Sequence, residues 1–120
     1  MVSCAVLFHI TSDEEWRDAL QSGVYRPKGF AREGFVHCSH LGQVLGVANR
    51  LFRNINGLVL LQIDPAKLTV PVREENLEGG TEQYPHVYGP LSATAVVAAY
   101  AFPWRPDGFA LPEELSRQPS

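Results

Sequence analysis

The sequence is poor in charge and in cysteine, and both shortages narrow the classes of protein it can belong to. Only 19% of the 120 residues are charged, and the net charge is −3. No block of basic residues offers the electrostatic surface that tight binding to nucleic acid needs. The two cysteines, Cys4 and Cys38, are too few for a disulfide scaffold and are typical of reduced thiols. We therefore expect a cytoplasmic protein that does not bind nucleic acid.

Long apolar runs are also missing. No segment approaches the ~20 consecutive apolar residues that a membrane span requires. The N-terminus has no basic segment followed by an apolar run, so we expect no signal peptide and no membrane association. A chain of this length is enough for one domain and its own core, and we expect a monomer or a small homo-oligomer.

Strand and helix patterns alternate at first and then give way to strands. Apolar and β-branched residues predict strands, Ser12 and Gly23 bound a helix, and a second helix follows Ser39. The predicted strands are 2–10, 34–38, 58–63, 69–74 and 93–102, and residues 84–90 are predicted to form a stiff extended segment. The predicted helices are 12–23, with Trp16, Ala19 and Leu20 as its buried stripe, and 39–52. Residues 24–33 are predicted to form a short strand or loop, and Pro71 places the strand 69–74 at a sheet edge. This order predicts an α+β fold with two main helices packed on a mostly antiparallel sheet. We expect one domain over 1–102 and a proline-rich surface tail over 103–120.

The strongest amphipathic signal lies in the helix pattern after Ser39. Its apolar positions recur at helical spacing: Leu41, Val44, Leu45, Ala48, Leu51 and Phe52. Ser39 stands where a helix cap stands, and Gln43 follows one turn later. Because a strand that runs into a helix N-terminus exposes free N–H groups, this junction predicts an anion or nucleotide site.

Three histidines stand near the ends of strand patterns. We predict that His9, His37 and His86 converge on one cleft whose floor includes the start of the second helix. His86 and Tyr88 are two residues apart, so on an extended segment they point the same way and can hold a ring or move a proton. The alternative is that these histidines are structural and bond backbone groups.

Other residue patterns allow more than one interpretation. His37, Cys38 and His40 suggest a metal site, but no second cluster completes it, and we expect no metal. Cys38 is either a nucleophile or a buried small thiol. Glu75 follows a strand and is a solvated acid, a general base or a group that binds a ribose. Tyr25 is the aromatic of its segment expected to face a ligand.

Taken together, these motifs resemble a small bacterial family known only by its label, domain of unknown function 952. The resemblance is carried by residues 8–11, 15–16, 34–39 with Gln43, 60–68 and 84–91, and extends over nearly the whole chain to Phe102. The label carries no established activity, so the resemblance implies a fold and leaves the reaction open.

More distantly, the layout is similar to the ADP-ribosyltransferase fold of poly-ADP-ribose polymerases. The segment from His9 to Thr11 resembles the strand ending His-Gly-Thr of that superfamily, and the split sheet is implied by the same likeness. In the superfamily the first histidine binds the adenosine ribose of NAD. The resemblance therefore implies that His9 and Thr11 bind a ribose, that Tyr25 or His37 flanks nicotinamide, and that NAD is the cofactor.

The chain departs from that superfamily at the late strand. The usual catalytic glutamate has no counterpart in residues 84–88, where His86 takes its place. The hypothesis is therefore a nucleotide-binding protein of NAD or ADP-ribose type. In it His37, His86 and Glu75 transfer an ADP-ribosyl or phosphoryl group, and Ser39, Gln43 and Tyr88 help to bind the nucleotide. The alternative is a non-catalytic module that binds a small metabolite.

Overall fold

The architecture is organised around the apolar run 58–63. The computed structural model describes residues 6–77 and 79–116. Cys4 and the beginning of the predicted first strand lie outside these residues. In the part of the chain that the structure describes, no helix is long and apolar enough to cross a membrane.

The described residues form eight strands and four short helices. The strands are β1 (Leu7–Ser12), β2 (Val24–Tyr25), β3 (Val36–His37), β4 (Leu58–Ile63), β5 (Val72–Glu75), β6 (Tyr84–Val87), β7 (Leu91–Ser92) and β8 (Val96–Ala101). The helices are α1 (Asp13–Ser22), α2 (Phe30–Glu33), α3 (Val44–Leu51) and α4 (Glu113–Ser116). Single 3₁₀ turns lie at Leu41–Gln43, Pro65–Lys67 and Ala93–Ala95.

The described strands pair into three sheets. The central sheet has the order β1-β4-β8, a two-stranded sheet joins β2 to β7, and the third sheet has the order β3-β6-β5. All of these pairs are antiparallel. The coarse prediction, a mixed domain of antiparallel strands with few helices, is therefore confirmed. The segment around Pro71 was predicted to lie at a sheet edge, and β5 is indeed the edge strand of the third sheet.

The central sheet is covered on both faces, as the apolar run of β4 predicts. Successive residues of a strand point to opposite faces. Val59, Leu61 and Ile63 enter one buried cluster with α1 and the two other sheets, whereas Leu58 and Leu60 enter a second cluster with α3. The domain therefore has three layers, with β4 in the middle.

Helix α1 begins and ends where the sequence predicts. The Ser12 side chain accepts a hydrogen bond from the Glu15 backbone N–H, and Gly23 ends the helix with a positive φ of 83°. Trp16 and Ala19 are buried as expected. The prediction that Leu20 belongs to the same buried stripe is wrong, because its side chain is 58% exposed.

The predicted start of the second helix is also wrong. Ser39 does not cap a helix. Its backbone N–H and C=O pair with Phe8 of β1 as an isolated β-bridge. His40 takes the cap position, where its backbone N–H donates to Gln43 Oε1, and regular α-helix begins only at Val44. Pairing with the free edge of β1 keeps Ser39 extended and delays the helix.

The proline-rich segment after Phe102 runs along the second buried cluster as far as it is described. Phe109 and Leu115 are buried in that cluster. The Phe109 ring stacks on Phe102 with centroids 4.9 Å apart, and its backbone N–H donates to the Asn49 side chain at 3.0 Å. Residues 103–116 thus close the core over α3.

Truncating Phe109 tests this contribution. Phe109→Ala should lower the free energy of unfolding by about 3 kcal/mol, because it removes a buried ring from between Phe102 and Trp104. Urea denaturation measures the loss. The control is Val97→Ala at a 46% exposed position, expected to change the value by less than about 1 kcal/mol. Equal midpoints for Phe109→Ala and the parent chain would show that the segment does not stabilise the domain.

Candidate active site

A cleft of about 360 Å³ opens where the free edge of β1 meets the third sheet. The Phe8–Ser39 bridge joins that edge to the chain leaving β3, and within the third sheet the Cys38 backbone N–H donates to the Pro85 carbonyl. The cleft is lined by Phe8, His9, Ile10, Glu33, His37, Cys38, Ser39, Val47, Arg50, Leu51, Phe52, Tyr84 and His86.

The pairing register of the third sheet brings two histidines together. His37 of β3 lies directly opposite His86 of β6. Directly opposite residues project from the same face of a sheet, so the two imidazoles meet there. Their ring centroids are 5.2 Å apart, with the rings nearly perpendicular. The predicted convergence of His9, His37 and His86 is present in the structure, since all three line the cleft.

Phe35 holds this pair of rings in place. Its ring stacks on His86 at 4.4 Å between centroids and meets His37 edge-on at 4.7 Å. Phe35 is two residues from His37, so both project from the same side of an extended chain. The stacked phenyl ring limits rotation of the imidazoles.

Each of the two imidazoles has a carboxylate partner. His86 Nδ1 donates to Glu75 Oε1 at 2.9 Å, and the Tyr88 hydroxyl donates to the same oxygen at 2.6 Å. His37 Nε2 lies 3.3 Å from Glu33 Oε2, across one turn from α2. Because Nδ1 of His86 and Nε2 of His37 are engaged, the ring nitrogens left for a ligand are Nε2 of His86 and Nδ1 of His37.

Glu75 is built to remain ionised. The hydrogen bond from Tyr88 and then that from His86 hold the pKa of the Glu75 carboxyl below its ordinary value. The same contact with Glu75 raises the pKa of Tyr88, so its hydroxyl keeps its proton. A fixed carboxylate behind an imidazole orients the ring and stabilises its protonated form. The sequence alone left the role of Glu75 open. In the structure its carboxylate is the hydrogen-bond partner of His86.

His9 joins all three sheets. Its Nδ1–H donates to the His37 carbonyl at 2.5 Å, and its Nε2 accepts from the Tyr25 hydroxyl at 2.7 Å. These contacts assign the proton to Nδ1 and use both ring nitrogens. Burial lowers the pKa of His9 from 6.5 to about 4, against the opposing effect of the bond to His37. The ring is neutral at physiological pH, and a ligand that bonds it must displace one of these partners.

Two predicted ligand contacts, Tyr25 and Thr11, lie behind the cleft rather than at its surface. Tyr25 is 1% exposed and Thr11 is also buried. Burial raises the pKa of the Tyr25 hydroxyl, and a hydrogen bond with Thr11 acts in the opposite direction. The expectation that Tyr25 faces a ligand is therefore corrected: Tyr25 supports His9.

The predicted floor of the cleft needs a second correction. Ser39 lines the cleft, but the helix surface there comes from the C-terminal half of α3 and not from a helix start. Gln43 is outside the lining, because its amide Nε2 donates to Glu82 and to the Gln83 carbonyl. Tyr88 is also outside it and acts on the site through Glu75.

Cys38 lies in the cleft wall as a protonated thiol. It is 3% exposed, and burial raises its pKa to about 12. A nucleophilic cysteine needs the opposite shift. His40, three residues from His37, turns away and donates to Glu74 Oε2 at 2.9 Å. Within residues 6–77 and 79–116, no three His, Cys, Asp or Glu side chains form a group that can hold a metal ion.

Comparison with known proteins identifies the family. A family model described as "Protein of unknown function (DUF952)" matches residues 10–99. The chain belongs to the DUF952 family.

Solved structures support the same fold for this DUF952 domain. The crystal structure of protein CC0527 from Caulobacter crescentus is similar to it with a TM-score of 0.81 and 28% identity, covering 92% of this chain and 98% of that chain. The solution NMR structure of CC0527 gives a TM-score of 0.76 at 28% identity, covering 88% of this chain and 90% of that one. No curated protein matches the chain in sequence.

Sequence reasoning missed several cleft residues of the DUF952 domain. Glu33 sits in a segment that was predicted as a short strand or loop, and α2 brings it to His37. Arg50 and Leu51 belong to the amphipathic helix, where Leu51 was predicted to be core. A spacing of four residues between Glu33 and His37 predicts a contact only if the chain is known to turn at Gly34, where α2 ends.

The buried, neutral His9 should make stability depend on pH. The unfolded chain binds a proton near pH 6.5 and the folded chain only near pH 4, so lowering the pH through this window favours unfolding. Stability at pH 7 should exceed that at pH 4 by at most about 3 kcal/mol from this residue, and solvent at the cleft reduces the difference.

Urea denaturation between pH 7 and pH 4 measures this dependence. His9→Gln removes the titrating group and should flatten the curve, whereas His40→Gln, at the Glu74 pair outside the cleft, should keep the slope. A parent curve that is already flat would contradict the assigned tautomer and burial of His9.

Proposed function

We propose that the cleft binds a nucleotide of NAD or ADP-ribose type and that its histidines transfer an ADP-ribosyl or phosphoryl group from it. One observation carries this proposal: His37 and His86 face each other at 5.2 Å in the cleft, and each has its own carboxylate partner. A single carboxylate-backed imidazole is common in cores, but two that share a face and a cleft favour acid–base chemistry.

The two imidazoles divide the proton transfers between them. One ring in its neutral form removes the proton of the attacking hydroxyl or water as that oxygen bonds to phosphorus. The other ring, protonated, gives its proton to the leaving oxygen as the old P–O bond breaks. In ADP-ribosyl transfer the neutral ring deprotonates the acceptor hydroxyl, whose oxygen bonds to the ribose carbon while the bond to nicotinamide breaks. In this scheme NAD is the donor substrate.

The architecture is compatible with this chemistry. Separated antiparallel sheets, a histidine on the first strand and a helix at the cleft wall resemble the ADP-ribosyltransferase layout. In that layout the late strand carries a glutamate, and here β6 carries His86 while Glu75 comes from the neighbouring strand β5. The pair Glu75–His86 would take the place of the missing acid.

A second candidate is a binding module without catalysis. The sequence of β6, Tyr-Pro-His-Val, contains no acid, and both nitrogens of His9 are occupied by protein groups. A module of this kind holds a nucleotide in the same cleft and leaves it intact. Mass spectrometry of NAD and ADP-ribose after incubation separates the candidates, because any product or protein modification excludes a pure binder.

Ligand binding at the histidine pair is the first test. Titration calorimetry should show binding of ADP-ribose or NAD to the parent chain. His37→Gln and His86→Gln should each weaken binding and lower any turnover by roughly 10²–10⁴. His40→Gln is the matched control, because His40 pairs with Glu74 outside the cleft and should leave both unchanged. If neither ADP-ribose nor NAD gives heat of binding at millimolar concentration, the proposal is refuted.

Glu75 is a positioning residue in this scheme. Glu75→Gln keeps the size of the side chain but removes its charge, so it should lower turnover, because a neutral amide holds the His86 Nδ1–H less firmly than a carboxylate does. The measurements are the turnover rate and the NMR signal of the His86 Nδ1–H. Glu74→Gln is the control, since Glu74 contacts His40 instead. Turnover and an Nδ1–H signal equal to those of the parent would show that the carboxylate does not position the ring.

A further inference from the structure

We infer that the wall of the cleft formed by α3 is a subsite for an aromatic base, so that the ligand carries a nucleobase beside its sugar and phosphate. The inference rests on the proposed function and specifies the class of ligand. It concerns the part of the cleft lined by α3, which the acid–base chemistry does not use.

The wall is apolar and belongs to one helix. Val47 and Leu51 of α3 and Phe52, the residue after the helix, line the cleft, and Phe8 and Ile10 continue the surface from β1. Val47 and Leu51 are four residues apart and therefore lie on the same face of the helix. A flat base can pack on such an apolar surface.

Leu51 has no role in the core that explains an apolar side chain. The core face of α3 consists of Val44 and Ala48, which are both fully buried, and Leu45 and Val47 pack against the same buried cluster, whereas Leu51 does not belong to it. The side chain of Leu51 is 57% exposed, and it lines the cleft together with Val47, one turn earlier on the same helix face. An exposed leucine on the rim of a concave site is typical of a surface that a ligand covers.

The polar part of the lining suits the rest of the ligand. His37 and His86 line the same cleft as Val47 and Leu51. Imidazoles are suited to the reacting bond, so a base on Leu51 leaves the sugar and phosphate groups toward the histidines. The volume of about 360 Å³ lies within the range of small-molecule sites, about 300–1,000 Å³.

The experiment compares three probes that share parts of one ligand. Methyl NMR of the full chain is recorded with adenosine, ribose 5-phosphate and ADP-ribose. Adenosine and ADP-ribose should shift the methyl signals of Leu51 and Val47, whereas ribose 5-phosphate should shift only signals near His37 and His86. Shifts of the Leu51 methyls that depend on protein concentration without ligand would instead assign this wall to a second copy of the chain and overturn the inference.

A matched pair of leucines supplies the variants. Leu51→Asn should weaken ADP-ribose binding about tenfold and leave ribose 5-phosphate binding unchanged, because only the base loses its apolar contact. Leu20→Asn is the control: Leu20 is 58% exposed on α1 and lies outside the cleft. Neither substitution removes a core contact, so both variants should fold.

The outcomes separate the two proposals. If ADP-ribose binds the parent and Leu51→Asn equally well, the base subsite is wrong and the proposed function stands. If ADP-ribose and NAD fail to bind while adenosine still shifts the Leu51 methyls, the subsite stands and the proposed function fails. An equal loss of ribose 5-phosphate and ADP-ribose binding in Leu51→Asn also overturns the subsite.

Discussion

The imidazole of His9 connects the three sheets, and the cleft depends on that connection. His9 belongs to the central sheet, Tyr25 to the two-stranded sheet and His37 to the third sheet. One ring donates to a backbone carbonyl and accepts from a hydroxyl, so it can fix both neighbours only in its neutral form. Burial keeps it neutral by lowering its pKa to about 4. The position of the His37 backbone, and with it that of the face that carries His37 and His86, therefore follows from a structural histidine.

Separation of the sheets creates the cleft that the fold leaves open. The central sheet and the third sheet are separate and are joined by the Phe8–Ser39 bridge and by the hydrogen bond from His9 to the His37 carbonyl. The third sheet supplies the polar face, where strand register places His37 opposite His86 and Glu75 diagonally beside it. Helix α3 supplies the apolar face. A site with one polar wall that carries two imidazoles and one apolar wall suits a ligand whose polar and non-polar parts are distinct.

The sequence predicted the elements more reliably than their ends. Binary patterning indicated the α+β class, the doubly covered β4 and the caps of α1, since each depends on residues close together in the chain. Ser39 shows where such reasoning fails: a good local cap was overridden by pairing with β1, about thirty residues away. Leu51 shows the same effect, because helical periodicity cannot tell a core-facing position from the rim of a cleft.

What the sequence by itself determined is the fold class, the longer strands, the two main helices and the candidate histidines, because periodicity and residue type are local properties. The tertiary structure alone decided how those histidines differ. It engaged both nitrogens of His9, paired His86 with Glu75 and His37 with Glu33, and turned His40 outward to Glu74. The reason is physical: which nitrogen of an imidazole is free depends on partners that strand register and sheet packing bring together, and these lie far apart along the chain.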